Sequence, residues 1–223
     1  MQGDFRGGHG SCMLSKIGGA RFGTAKRITP VLTTMNYNLY INENFLDGLS
    51  RILDDVDQNQ NPNQPDSVIN ISINWVPAAN LVTNAFIQRI GLLIQELIAR
   101  GVPVITGSGN SPGLVNGYPA LFRDPTTNPH IPELLVVGGV DIRGLWWPSS
   151  RRADYVTVYA PGWSSGGGPA PGDPTAIQCA SSDLNTNGGT GIVSIKDGTS
   201  LCKCHHNIFH TCLYQKTISL PAF

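Results

Sequence analysis

A chain of 223 residues that is 40% hydrophobic carries enough apolar mass for one well-buried domain, and its 13% charged content lies below the usual quarter. Fifteen basic residues balance fifteen acidic ones, and no basic cluster interleaves with aromatics, which removes the electrostatic case for nucleic acid or an anionic membrane as partner. No apolar run approaches the roughly 18 residues that a membrane span needs, and residues 1–8 lack the apolar stretch of a signal peptide.

The 26 glycines and 16 prolines fit a loop-rich α/β protein whose site is built from turns. In chain order, Arg27 to Thr33 is a short β-rich run and a predicted strand, despite Pro30. Phe45, Leu49, Ile52 and Val56 then recur on one face of a predicted helix. Asn59 to Asp66 is polar and proline-punctuated, a surface loop, and Ser67 to Ile73 reads as a largely buried strand. The clearest helix follows, with Phe86, Ile90, Leu93, Ile94, Leu97 and Ile98 as its apolar stripe. Thr83 or Asn84 can cap its start, and Gly101 sits at its end. Val102 to Thr106, Leu134 to Val137 and Tyr155 to Tyr159 are three further predicted strands, and residues 161–191 form a turn-rich excursion. Strands alternating with helices imply a mostly parallel sheet, in which ligands bind outside the carboxyl ends of the strands.

Three short motifs carry chemistry: Gly-His-Gly-Ser at 8–11, Gly-Ser-Gly-Asn at 107–110 and Gly-Thr-Ser at 198–200. Alone, each has a bland reading, as an exposed terminal histidine, a left-handed turn residue and a helix cap. In order, they supply a general base (His9), an amide that can donate to a developing oxyanion (Asn110) and a nucleophile (Ser200). Asn110 directly follows a predicted strand, where a parallel sheet places its ligands.

These motifs and their neighbours resemble the subtilisin-like serine peptidases over residues 7 to about 201. That family carries His-Gly-Thr or His-Gly-Ser, then a helix of small residues and a turn, for which this chain has Phe22-Gly23-Thr24-Ala25-Lys26. Tyr118-Pro119-Ala120, the strand Leu134 to Asp141 and Tyr159-Ala160-Pro161-Gly162 match further landmarks in register. The resemblance implies an α/β, three-layer subtilisin-like fold with a mostly parallel central sheet and helices on both faces, incomplete at both ends. It implies a serine endopeptidase with His9, Ser200 and Asn110 as catalytic residues, acting on a polypeptide. Substrate would lie as an added strand along the Ser72 and Asn74 segment, with Gly107, Ser108 and Gly109 as further substrate-binding residues. Asn74 and Trp75 stand where the family commonly has glycine. A monomeric, extracellular protein is expected by the same comparison, with no cofactor; calcium is known in the family, but no site for it is evident.

The resemblance ends at both termini. The family's Asp-Ser-Gly or Asp-Thr-Gly motif, which orients the histidine, belongs well upstream. Asp4, followed by Phe5-Arg6, does not match it. After Ser200 the family has a helix of small and apolar residues, whereas this chain reads Leu201-Cys202-Lys203-Cys204-His205-His206. The expectation is therefore a partial peptidase domain over 1–201 and an atypical tail over 202–223, from a truncated or mis-spliced product with impaired activity. A peptide-binding pseudo-peptidase is the alternative.

Cys202, Cys204, His205, His206, His210 and Cys212 are zinc-capable, but their spacing matches no common finger. The acidic run Asp54-Asp55-Val56-Asp57 reads as a solvated helix end and not as a calcium site. Asn70-Ile71-Ser72 is a glycosylation sequon, and its place in a buried strand argues against modification. The five cysteines, three of them in the tail, define no disulfide framework and leave the compartment open.

Overall fold

The computed structural model describes residues 9–33, 41–59, 67–76, 84–163, 177–180, 193–195 and 198–202. Helix α1 (His9–Gly18) comes first, followed by α2 (Ile41–Asn59), β1 (Ile69–Ile71), α3 (Asn84–Ala99) and β2 (Val104–Gly107). A 3₁₀ turn (Ala120–Arg123), β3 (Leu135–Val140) and β4 (Val158–Pro161) complete the central part. Two short strands, β5 (Gln178–Ala180) and β6 (Val193–Ile195), precede α4 (Thr199–Cys202).

β1 to β4 form a parallel sheet in sequential order, with Ile71 opposite Thr106, Gly107 opposite Val137 and Val140 opposite Pro161. Alternation along the strands decides what each face covers. Val104 and Val136 join the main core with Phe45, Leu49 and Val56 of α2 and Ile90, Ile94 and Leu97 of α3. Their neighbours Ile105 and Val137 point to the other face, where they meet Ala160 and Ile17 of α1. The result is three layers, helices on both faces of a buried parallel sheet, because strands this apolar need cover on both sides.

The predicted helices are present, and their stripes face inward. α3 stops where the sequence says it should: Gly101 takes φ 78°, and the N–H groups of Gly101 and Val102 cap the carbonyls of Ile98 and Leu97 at 2.8 and 3.2 Å. The strand predicted over 27–33 does not form. Residues 28–33 take no regular structure, and Val31 and Leu32 are about two-thirds exposed. Pro30 removes a ladder donor, and no strand among the described residues pairs with this segment. The last predicted strand is displaced along the chain, since Tyr155 lies in a turn and β4 begins at Val158.

The segment read as a turn-rich excursion contains β5, which pairs antiparallel with β6. The acidic run lies inside α2, where Val56 is buried and Asp57 holds the Arg100 guanidinium at the end of α3. Asp54 and Asp57 are exposed in the last turns of α2, in keeping with a solvated helix end, with the Arg100 pair added. Asn59 closes α2, and residues 60–66, Thr83 and the tail beyond Cys202, with its remaining zinc-capable side chains, lie outside the described residues. A disulfide joins Cys12 of α1 to Cys179 of β5 across 167 positions, a pairing that cysteine spacing did not reveal.

One side chain of the main core carries a pH signature. Burial first, then the nearby charge of Asp124 and a hydrogen bond to it, push the Tyr155 hydroxyl up to about 12. A raised folded value means the stabilisation is complete below the ordinary tyrosine range near 10 and is lost as pH rises towards 12. The melting temperature should therefore fall between about pH 10 and 12, and Tyr155→Phe should flatten that slope.

Candidate active site

His9 is the first residue of α1 and is exposed, with its Nε2 3.3 Å from the carbonyl oxygen of Ser72. Ser200, the second residue of α4, donates its hydroxyl to the same oxygen at 3.5 Å. Residues 191 positions apart in the chain thus meet at one carbonyl just beyond the end of β1. A carbonyl oxygen only accepts, so the His9 contact is a hydrogen bond only in the tautomer with the proton on Nε2. A base that takes a proton from serine needs the opposite tautomer, with Nδ1–H held by an acceptor.

Asn110 follows β2 by three residues, at the carboxyl end of the sheet. Its Oδ1 accepts from the Thr199 N–H and the Thr199 hydroxyl, both at 2.9 Å. Because both bonds fall on the oxygen, the amide nitrogen is turned the other way, and it would lie 3.3 Å from a Cβ built on Gly198. Thr199 therefore fixes the rotation of the Asn110 amide while it presents Ser200 next in the chain. Sequence reading missed this residue, although its place inside Gly-Thr-Ser was a usable signal.

The glycines beside Asn110 have separate physical reasons. A Cβ on Gly107 would sit 2.7 Å from the Thr199 hydroxyl, so only glycine lets α4 approach the end of β2. Gly109 has φ 114°, and its N–H meets the Thr199 hydroxyl at 3.3 Å. Ser108 differs from the expectation that it faces substrate. It is fully buried, its hydroxyl lies 3.4 Å from that of Ser150, and its N–H bonds Val137. Any substrate contact from this position is left to the main chain.

Ser72 is half-buried, and its hydroxyl accepts from the Asn70 amide at 2.9 Å. That bond employs the sequon asparagine within the strand. Asn74 is exposed, and its amide lies over Gly117, where an added Cβ would come within 2.1 Å of Asn74 Oδ1. Trp75 exchanges main-chain hydrogen bonds with Tyr118 at 3.0 and 2.9 Å, which anchors the Ser72–Trp75 segment against the loop after β2.

The fold is the subtilisin-like α/β fold. Among solved structures it is similar to a cold adapted subtilisin-like serine proteinase, with 22% identity over 90% of this chain and a TM-score of 0.61. It is also similar to a lanthipeptide protease, with 14% identity over 88% of this chain and a TM-score of 0.67. The match spans 58% and 57% of those two chains. No family model matches the sequence, and no curated protein sequence does either.

Proposed function

We propose that this chain is a serine endopeptidase domain acting on polypeptides, with Ser200 as nucleophile, His9 as general base and Asn110 as oxyanion donor. The observation that carries the reading is the meeting of His9 and Ser200 at the Ser72 carbonyl, with Asn110 tied to Thr199 alongside. Ser200 attacks the peptide carbonyl, and its proton passes to His9, which returns it to the leaving amine. The Asn110 amide and the Ser200 N–H receive the charge that develops on the carbonyl oxygen, and water then hydrolyses the acyl-enzyme.

The mechanism calls for a carboxylate that holds Nδ1–H of His9. Asp4 lies outside the described residues, and its flanks do not match the family's motif. The size of that demand is known from subtilisin, where loss of the orienting aspartate lowers kcat by about 3 × 10⁴. An oxidising, extracellular setting fits the Cys12–Cys179 disulfide. Among the described residues no helix is long and apolar enough to cross a membrane.

A second reading, a peptide-binding domain without turnover, is favoured by the facing of Nε2 to Ser72 O, a contact that is a hydrogen bond only in the tautomer unable to accept the serine proton. Covalent labelling by a fluorophosphonate separates the two. Labelling lost in Ser200→Ala supports the peptidase; saturable peptide binding with no labelling supports the second reading.

Asn110→Ala is expected to lower kcat by about 10²–10³ with little change in KM, a magnitude again carried over from subtilisin. Thr199→Val removes both hydroxyl bonds, the one to Asn110 Oδ1 and the one from the Gly109 N–H, but keeps the Thr199 N–H on Oδ1, so it should show a smaller loss in the same parameter. A steady-state comparison of the two variants on one peptide substrate checks the order.

A further inference from the structure

α1 stands apart from the main core. Its buried Cys12 and Met13 cluster with Ile177 and Cys179, and Ile17 packs against this cluster and against Ile105, Val137 and Ala160 of the sheet. The far end of the helix is held twice over, by Ile17 and by the turn in which Thr24 and Ala25 donate to the Ile17 carbonyl at 3.0 and 2.8 Å. The near end, which begins with His9, is fastened differently. One helical turn along, Cys12 is covalently joined to Cys179, and Ser15 accepts from the Ala180 N–H at 2.9 Å. Cys179 pairs with Ser194 of β6, and the chain runs from β6 into Gly198, Thr199 and Ser200. The disulfide therefore links the helix that begins with the base to the hairpin that leads into the nucleophile.

We propose that Cys12–Cys179 is a positioning disulfide: it sets the first turn of α1, and with it His9, against Ser200, and opening it withdraws the base while the sheet stays folded. Its catalytic half rests on the assignment of His9 and Ser200 above; its structural half does not. Opening by dithiothreitol is balanced: a thiolate attacks one sulfur, and the second thiol resolves the mixed disulfide. The reagent leaves as a cyclic disulfide, and Cys12 and Cys179 leave as thiols. Both sulfurs are buried, so attack proceeds through local opening of α1.

The test uses the full chain with and without dithiothreitol, and the variants Cys12→Ala/Cys179→Ala and Cys12→Val/Cys179→Ala, the second keeping more of the lost volume. Hydrogen exchange is read on peptides covering residues 10–17 and 87–98, together with the rate of fluorophosphonate labelling at Ser200. Opening should speed exchange in the α1 peptide while α3 stays protected. Labelling should slow roughly a hundredfold, the scale of an ångström-sized misplacement of a catalytic group. In His9→Ala the labelling rate should be the same in both redox states, because no base remains to be displaced.

Unchanged α1 exchange overturns the proposal. So does a joint rise in α1 and α3, which would make the bond a general staple, or a slowing in His9→Ala as large as in the parent. If Ser200 is labelled in neither state, the peptidase assignment fails, and exchange alone decides the inference about α1.

Discussion

Replacing His9 by alanine should slow acylation of Ser200, and the size of the loss reports whether a carboxylate holds the ring. In subtilisin, loss of the histidine lowers kcat by about 2 × 10⁶, and loss of the aspartate alone by about 3 × 10⁴. The quotient, on the order of 10², is what a histidine contributes without its orienting acid, provided the effects are treated as separable. The contact of His9 Nε2 with Ser72 O matches that second situation when Nε2 is the donor, since the proton then sits on the wrong nitrogen. We therefore expect a fall of about 10² in the labelling rate of His9→Ala, followed by intact mass. A fall near 10⁶ would mean that the productive tautomer is held after all. No change would remove His9 from the mechanism.

Phe122→Ala should be among the most destabilising single substitutions in the chain, by about 3–5 kcal/mol. Among the described residues, Phe122 is the largest of the fully buried side chains. Its ring lies 4.7 Å from that of Tyr118 at a tilt of 54°, and it closes the space beside Gly91 of α3, where a Cβ would sit 3.0 Å from the ring and closer still to Pro129. Backbone and ring approach there from three elements, so the site cannot collapse onto a smaller side chain and a cavity remains. The denaturant midpoint should fall with the slope unchanged. Because Tyr118 also pairs with Trp75, the variant should loosen the Ser72–Trp75 segment, visible as faster exchange at the Trp75 and Tyr118 amides.

What the sequence by itself determined was local periodicity and the identity of reactive side chains. The stripe from Phe86 to Ile98 could be buried only as a helix, Gly101 could end it because glycine accepts a positive φ, and Val104 to Thr106 could only be a covered strand. The order His9, Asn110, Ser200 was likewise legible, since each motif is contiguous. Pairing was not. Whether 27–33 becomes a strand depends on a neighbour to receive its N–H groups, and the run resembles β1 in composition while remaining exposed. β5 and β6 are three residues each, too short for an alternation to stand out, and exist through their mutual hydrogen bonds. Five cysteines left the disulfide open, because a bridge between positions 12 and 179 is decided by where α1 and β5 lie in space.

The working state of the site belongs to the same level. The meeting of His9 with Ser72 O is set by where α1 and β1 lie, and the direction of the Asn110 amide follows from the two hydrogen bonds of Thr199. Both are contacts between segments far apart in the chain, and only the tertiary structure brings those segments within hydrogen-bonding reach.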